Sequence, residues 1–193
     1  MSPLARFVLN YLFFQVVWFA CVLGGAWGYP WLGTTTALIA IGVHLTLVAR
    51  PWRELYLVVL AGLLGAVLDS VLVALGWLSY PNGQLLAGTA PHWIVAMWMG
   101  FATILNVSLG WLRGRYILAV MLGAAAGPLA YYAGAELGGV RISADPWLAL
   151  GGVAVNWALA MPLLIYLASR YDGVGTAHGN ALPNGSATAG KPG

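Results

Sequence analysis

Six long apolar runs divide this chain and leave it few ways to fold. Each run has 18 to 23 residues and at most one charged residue: 7–24, 31–49, 55–77, 92–112, 116–136 and 147–169. About 20 helical residues span a hydrocarbon core of about 30 Å. A segment in lipid must satisfy its own backbone polar groups, which favours helices. Charged residues make up only 7% of the chain, against about a quarter in soluble domains. We therefore predict an all-α polytopic membrane protein with six transmembrane helices.

The distribution of cations predicts the orientation of these helices. With a cytoplasmic N-terminus, the inner side receives seven cations, which are Arg6, Arg50, Arg53, Arg113, Arg115, Arg170 and Lys191. The outer side receives only Arg141, in a loop that also holds Glu136 and Asp145. Short cytoplasmic loops are enriched in Lys and Arg. The pattern predicts three in–out–in hairpins with both termini cytoplasmic, in a bacterial inner membrane. Tyr80 is among the aromatic residues expected to mark the outer interface.

The chain divides into two parts by composition. Residues 1–172 hold the six-helix transmembrane domain. Residues 173–193 are rich in Gly, Ala, Asn, Ser and Pro and have no apolar pattern. Such a composition is typical of a disordered segment, here a cytoplasmic tail.

Asp69 is the polar residue that says most about function. It lies inside the third run, and an ionised aspartate at a helix centre costs about 2.5–3.5 kcal/mol to insert. No lysine or arginine lies in any run to pair with it. We expect a largely neutral carboxyl that faces the bundle interior, with Asn156 the partner nearest in depth. Two roles are open for this carboxyl. The functional role is to carry a proton or bind a ligand, and the structural role is to hold helices together through hydrogen bonds.

Six further polar residues are candidates for lining a ligand site. Depths counted at 1.5 Å per residue place Asn156 and Thr103 in an outer tier with Asp69. They place Asn106, His44 and Gln15 in an inner tier. His92 falls at the outer mouth, too far from Asp69 for a direct pair. Asn and Gln in such helices more often make interhelical hydrogen bonds than bind ligands.

Small residues at helical spacing predict which faces turn inward. Gly62 and Gly65 share a face with Asp69 on the third helix, and Gly123 and Gly127 form a G-x-x-x-G pair on the fifth. Small residues let helix backbones approach closely. We expect these faces to pack against other helices.

Several classes of site are absent from the sequence. Two histidines and one acid at three depths do not form a metal site, and the lone Cys21 excludes a multi-cysteine site. We expect no metal and no cofactor. No basic cluster with interleaved aromatics is present, so nucleic acid is not an expected partner. The residues leave open whether the protein is an enzyme.

The chain resembles a family of small bacterial multi-pass inner-membrane proteins catalogued only as a domain of unknown function. The stretches that carry the resemblance are NYLFFQVVWFACVLGGAWG at 10–28, the Asp69 helix with its Tyr80–Pro81 turn, and PHWIVAMWMGFATILNVSLGWL at 91–112. The residues that match the family's recurring polar and aromatic positions are Asn10, Gln15, Trp18, Asp69, Trp98 and Asn106. The resemblance implies location and fold, and it brings no catalytic residues.

Together these observations predict an integral membrane protein that binds or carries a small or lipid-like ligand in a polar interior. Its expected partners are the lipid bilayer, that ligand and a further membrane protein. One alternative is an intramembrane enzyme of lipid metabolism with Asp69 or His92 as acid and base. A second is a structural subunit of a membrane complex.

Overall fold

The computed structural model of the chain describes residues 3–175 and is built almost entirely of helices. The helices are α1 (Pro3–Ala26), α2 (Pro30–Leu47), α3 (Pro51–Ala74), α4 (His92–Leu105), α5 (Tyr116–Glu136) and α6 (Pro146–Arg170). Two short strands, β1 (Leu78–Ser79) and β2 (Arg141–Ile142), lie in the α3–α4 and α5–α6 connections. Most of the predicted tail, 176–193, lies outside the described residues.

Proline stands at the start of α2, α3 and α6, as it does at the first described residue of α1. Pro30, Pro51 and Pro146 occupy the first turns of α2, α3 and α6. Proline suits this position because the first turn has no use for its missing N–H. Asp145 also caps α6, since its side chain accepts a hydrogen bond from the Leu148 N–H. These local signals agree with the starts of the apolar runs to within a few residues.

Five helices of the described chain, α1, α2, α3, α5 and α6, are long and apolar enough to cross a membrane. The fourth predicted helix, 92–112, is too long. α4 ends at Leu105 after 14 residues, a length of about 21 Å. A turn and a short 3-10 segment, Gly110–Leu112, follow it. The stretch NVSLG, residues 106–110, directly follows α4 and is apolar on average. Hydropathy therefore does not reveal where the helix ends.

The short helix α4 lies at the centre of the bundle. It packs against α1, α2, α3 and α6, and most of its side chains are buried. The non-helical residues next to its two ends, 89–91 and 106–110, are buried or half-buried, as irregular backbone at membrane depth requires.

Glycines sit where helices approach most closely. A Cβ on Gly65 would lie 2.1 Å from Cγ of Trp98, and one on Gly127 would lie 2.5 Å from Cγ of Trp157. A Cβ on Gly123 would meet the Trp157 carbonyl oxygen at 2.2 Å. The predicted packing roles of Gly65 and of the Gly123–Gly127 pair are therefore confirmed, with α4 and α6 as their respective partners.

The connections between helices meet at one end of the bundle. β1 pairs antiparallel with β2, with Leu78 opposite Ile142, which joins the α3–α4 connection to the α5–α6 connection. Asn82 in the same region donates a hydrogen bond to the carbonyl of Gly25, near the end of α1. We call this the strand end of the bundle. The opposite end holds the start of α3 and the residues after α6, which are joined by a hydrogen bond from Arg50 N to Gly173 O.

Candidate functional site: an aromatic cavity backed by a buried carboxyl

Asp69 faces the bundle interior, as expected, with a side chain that is 1% exposed. Its two oxygens accept three hydrogen bonds. Tyr80 Oη donates to Oδ1 at 2.9 Å, Trp98 Nε1 donates to Oδ2 at 2.7 Å, and Tyr131 Oη also donates to Oδ1. We call these four residues the carboxyl cluster. Several donors aimed at one buried acid satisfy its acceptor capacity and fix its orientation.

Three different parts of the chain supply the donors of the carboxyl cluster. Trp98 comes from α4 and Tyr131 from α5, while Tyr80 comes from the connection after β1, which folds back into the bundle. Burial, and then the nearby Asp69, raises the pKa of Tyr80 well above its ordinary value. Its hydroxyl therefore keeps the proton that it donates. Tyr80 is only 5% exposed, so the expectation that it marks the outer interface is wrong.

Asn156 does not contact the Asp69 carboxyl. Its side-chain amide donates instead to the carbonyl oxygen of Leu68, at 3.1 Å, which joins α6 to α3. Thr103, the third member of the predicted outer tier, donates to the carbonyl of Gly100 within its own helix. Equal depth therefore did not bring these three side chains together, because they leave their helices in different directions.

A cavity of about 530 Å³ lies on the other side of the carboxyl cluster. Its wall includes all three donors to Asp69 but not Asp69 itself. The aromatic residues in the wall are Tyr11, Phe14, Trp18, Tyr80, Trp93, Trp98, Phe101, Tyr131 and Trp157. Ligand pockets are typically about 300–1,000 Å³, mostly apolar, with a few placed polar groups. This cavity matches that description in size and chemistry.

The cavity opens between α1 and α5. α1 packs closely on α2 and α4, and α5 packs mainly on α6, while α5 approaches α1 near the strand end, where a Cβ on Gly134 would lie 3.9 Å from Cγ2 of Val22. Tyr11 on α1 and Leu129 on α5 both line the cavity, yet they are 44% and 68% exposed. Tyr11 is 8 residues after the start of α1 and Leu129 is 7 before the end of α5, depths of about 12 and 11 Å. The opening is therefore well inside the helices and not at their ends.

Gln15 lines this cavity from α1. It lies 12 residues after Pro3 and 11 before Ala26, which is the middle of the helix. Its carboxamide makes no hydrogen bond to any residue in the described part of the chain. Gln15 was expected in an inner tier with His44 and Asn106; it lies apart from both.

His44 and Asn106 do meet, through a residue that sequence reasoning missed. Glu54 is fully buried at the start of α3. It accepts hydrogen bonds from His44 Nε2 at 3.0 Å, from Asn106 Nδ2 at 2.9 Å and from the backbone N–H of Gly173 at 2.8 Å. We call this set the glutamate cluster. Glu54 stands one residue before the predicted third run. The sequence feature that could have indicated it is a carboxyl in the first turn of a helix that is otherwise apolar.

An ion pair extends the glutamate cluster toward the surface. Arg113 donates to Asn106 Oδ1 at 2.8 Å and to Asp172 Oδ2 at 3.0 Å. Asp172 in turn accepts a hydrogen bond from the N–H of Val174. These contacts fix the residues that follow α6 against the end of the bundle opposite the strands.

His92 lies outside both clusters. Its Nδ1 is 2.7 Å from Thr34 Oγ1, and its ring stacks on Trp31 with centroids 4.1 Å apart. The expectation that it does not pair with Asp69 is confirmed. Within residues 3–175, no group of three or more His, Cys, Asp or Glu side chains is placed to hold a metal ion.

Comparison with known proteins identifies the family of this chain. Residues 7–163 match the family described as Protein of unknown function (DUF2878), so the chain belongs to that family. No curated protein and no solved structure matches the chain. The resemblance to a family catalogued only as a domain of unknown function is thus confirmed, while the chemistry of the site must be argued from its own residues.

Proposed function

We propose that this protein spans a membrane six times and binds a lipid-like ligand in the aromatic cavity. The observation that carries the proposal is the cavity itself, which is about 530 Å³ in volume and is lined well inside α1 and α5 by exposed residues of both helices. A ligand dissolved in the bilayer reaches such an opening by sideways diffusion. It exchanges lipid contacts for aromatic contacts without crossing the headgroup region.

The proposed topology has both termini on the cytoplasmic side of a bacterial inner membrane. Arg50 and Arg113 lie with the glutamate cluster at one end of the bundle, and Arg141 lies in β2 at the strand end. The positive-inside rule then supports a cytoplasmic glutamate cluster and an outward-facing strand end. α4 counts as the fourth crossing because its two ends are near opposite ends of the bundle.

Thiol labelling in cells tests this topology. Cys21 is replaced by alanine, and a single cysteine is then introduced as Ala87→Cys near the strand end or Ala49→Cys at the opposite end. Both alanines are exposed and lie in connections. A membrane-impermeant maleimide should label the Ala87→Cys protein in intact cells and the Ala49→Cys protein only after permeabilisation. The reverse order would refute the topology and leave the cavity unaffected.

Two neighbouring alanines on α5 test ligand binding. Ala126 lines the cavity and Ala125 does not, while both are exposed. Ala126→Phe places a ring in the opening, and Ala125→Phe places the same ring on the outside of the helix. Native mass spectrometry of the purified protein should show a retained lipid-like molecule for the unmodified chain and for Ala125→Phe, and its loss in Ala126→Phe. Equal retention in both variants would mean that the bound molecule lies elsewhere.

The contacts of the other candidate residues favour this function over the alternatives. Asp69 has both oxygens taken by three donors, and His92 lies outside the cavity wall, which disfavours either one as the acid or base of an enzyme. The G-x-x-x-G face, Gly123 and Gly127, is already covered by Trp157, so it is not free to hold a partner subunit.

A further inference from the structure

The wall of the aromatic cavity is uncharged. Among the residues that the structure places in it there is no Lys, Arg, His, Asp or Glu. Burying an unpaired charge in an apolar site is highly unfavourable. A carboxylate or phosphate bound there would have no cation to pair with, and it would lie near the Asp69 carboxyl behind the wall.

The three donors of the carboxyl cluster have no proton left to offer a ligand. Tyr80, Trp98 and Tyr131 all direct their protons toward Asp69. A tyrosine oxygen that donates its proton still has lone pairs that can accept a hydrogen bond. The indole N–H of Trp98 is a donor only, and Asp69 already accepts its hydrogen bond. Tyr131 also has Trp157 as a hydrogen-bond neighbour, so the Tyr80 oxygen is the acceptor that the carboxyl cluster offers to a ligand.

Gln15 offers a free donor and a free acceptor to the cavity, as the hydroxyl of Tyr11 one helical turn away also does within the described residues. Its carboxamide lies at mid-helix and is without a hydrogen-bond partner in residues 3–175. In hydrocarbon an unsatisfied amide is costly. A ligand group that both donates and accepts a hydrogen bond would satisfy it.

We propose that the ligand ends in an uncharged hydroxyl group, so that it is a long-chain or isoprenoid alcohol and not an acidic or phosphorylated lipid. This inference rests on the proposed function and specifies the chemistry of the same cavity. The hydroxyl bonds to the Gln15 carboxamide or to the Tyr80 oxygen, and the chain of the ligand lies along the aromatic wall and out between α1 and α5.

Three probes of equal chain length test the head group on the unmodified protein. They are a saturated long-chain alcohol, its methyl ether and the corresponding fatty acid, supplied together at a pH of about 8, where a carboxyl with a pKa near 4 is ionised. Native mass spectrometry reports the occupancy of each. We expect alcohol occupancy at least about tenfold above that of the acid, a difference of about 1.4 kcal/mol. The ether accepts but cannot donate, and should fall between the two.

Gln15→Leu then tests the contact itself. It should reduce the preference for alcohol over ether severalfold, because the alcohol loses a bond that it donates and a bond that it accepts, whereas the ether loses only the latter. A general packing defect would lower both occupancies by the same factor. Acid occupancy equal to or above that of the alcohol would overturn the head-group assignment while the cavity still binds lipid. An unchanged alcohol-to-ether ratio in Gln15→Leu would overturn the role of Gln15. Failure of all three probes to bind, with Ala126→Phe also without effect, would overturn the proposed function as well.

Discussion

Replacing Asp69 by leucine should destabilise the bundle more than replacing it by asparagine. Leucine removes the acceptor for all three donors of the carboxyl cluster. Trp98 Nε1 then becomes a buried donor without a partner, which costs about 1–3 kcal/mol. The hydroxyls of Tyr80 and Tyr131 can rotate toward the cavity, so each adds a smaller loss of about 0.5–1 kcal/mol. The expected sum for Asp69→Leu is about 2–5 kcal/mol.

Asparagine keeps one oxygen and the shape of the side chain. The oxygen can still accept from Tyr80 and Tyr131, while the new NH₂ group faces the Trp98 N–H, donor against donor. Only one hydrogen bond is lost, so Asp69→Asn should lose about 1–3 kcal/mol. Asn156→Leu is the matched control, because it deletes the one hydrogen bond from Asn156 on α6 to the Leu68 carbonyl on α3. Interhelical hydrogen bonds average about 0.6 kcal/mol in membrane bundles.

Equilibrium unfolding in mixed micelles, followed by tryptophan fluorescence, measures these differences. The expected order of loss is Asp69→Leu, then Asp69→Asn, then Asn156→Leu. If Asp69→Leu unfolded at the same denaturant fraction as the unmodified protein, the three hydrogen bonds would not stabilise the fold. If asparagine were worse than leucine, the reasoning about unpaired donors would be wrong.

Two further perturbations test the packing and the opposite end of the bundle. Gly65→Ala places a Cβ 2.1 Å from Trp98 Cγ and should lose about 1–3 kcal/mol by overpacking. Gly42→Ala, where nothing lies within 4 Å, should be neutral or stabilising by up to about 1 kcal/mol; equal effects in the unfolding assay would contradict the packing argument. Glu54→Leu should lose more stability than Glu54→Gln, which retains an acceptor, and should speed amide exchange at Gly173. Protection of that amide in both variants would show that Glu54 does not hold the segment.

The parts of the fold that sequence predicted well are those set by local spacing. Helix faces repeat every three or four residues, so Gly65 and Asp69 could be placed on one inward face without knowing what covers it. The start of α6 follows from Asp145 and Pro146 for the same reason. Local patterns also gave the depth of His44 and Asn106, which do belong to one cluster.

The parts of the site that the sequence did not predict depend on contacts between residues far apart in the chain. Tyr131 is 62 residues from Asp69 in sequence, and no periodicity on α3 or α5 selects that pair. Tyr80 could not be told from an ordinary interfacial tyrosine, because its burial results from a connection that folds inward. The burial of Glu54 depends on the residues that follow α6, which contact it through Gly173. No local pattern around Glu54 predicts that contact. Hydrogen-bond partners inside a bundle are set by helix rotation, which hydropathy does not report.

The length of α4 also bears on how the protein is made. A helix of about 21 Å is shorter than the hydrocarbon core of about 30 Å, so it has no stable position in the bilayer by itself. Ordinary membrane helices insert singly and associate afterwards. α4 needs its neighbours in order to be shielded, and α6, which completes that shield, leaves the ribosome after α4 and α5. Biosynthesis therefore passes through a stage in which α4 has been made and α6 has not, and a chain shortened before α6 should be recognised and degraded as incomplete.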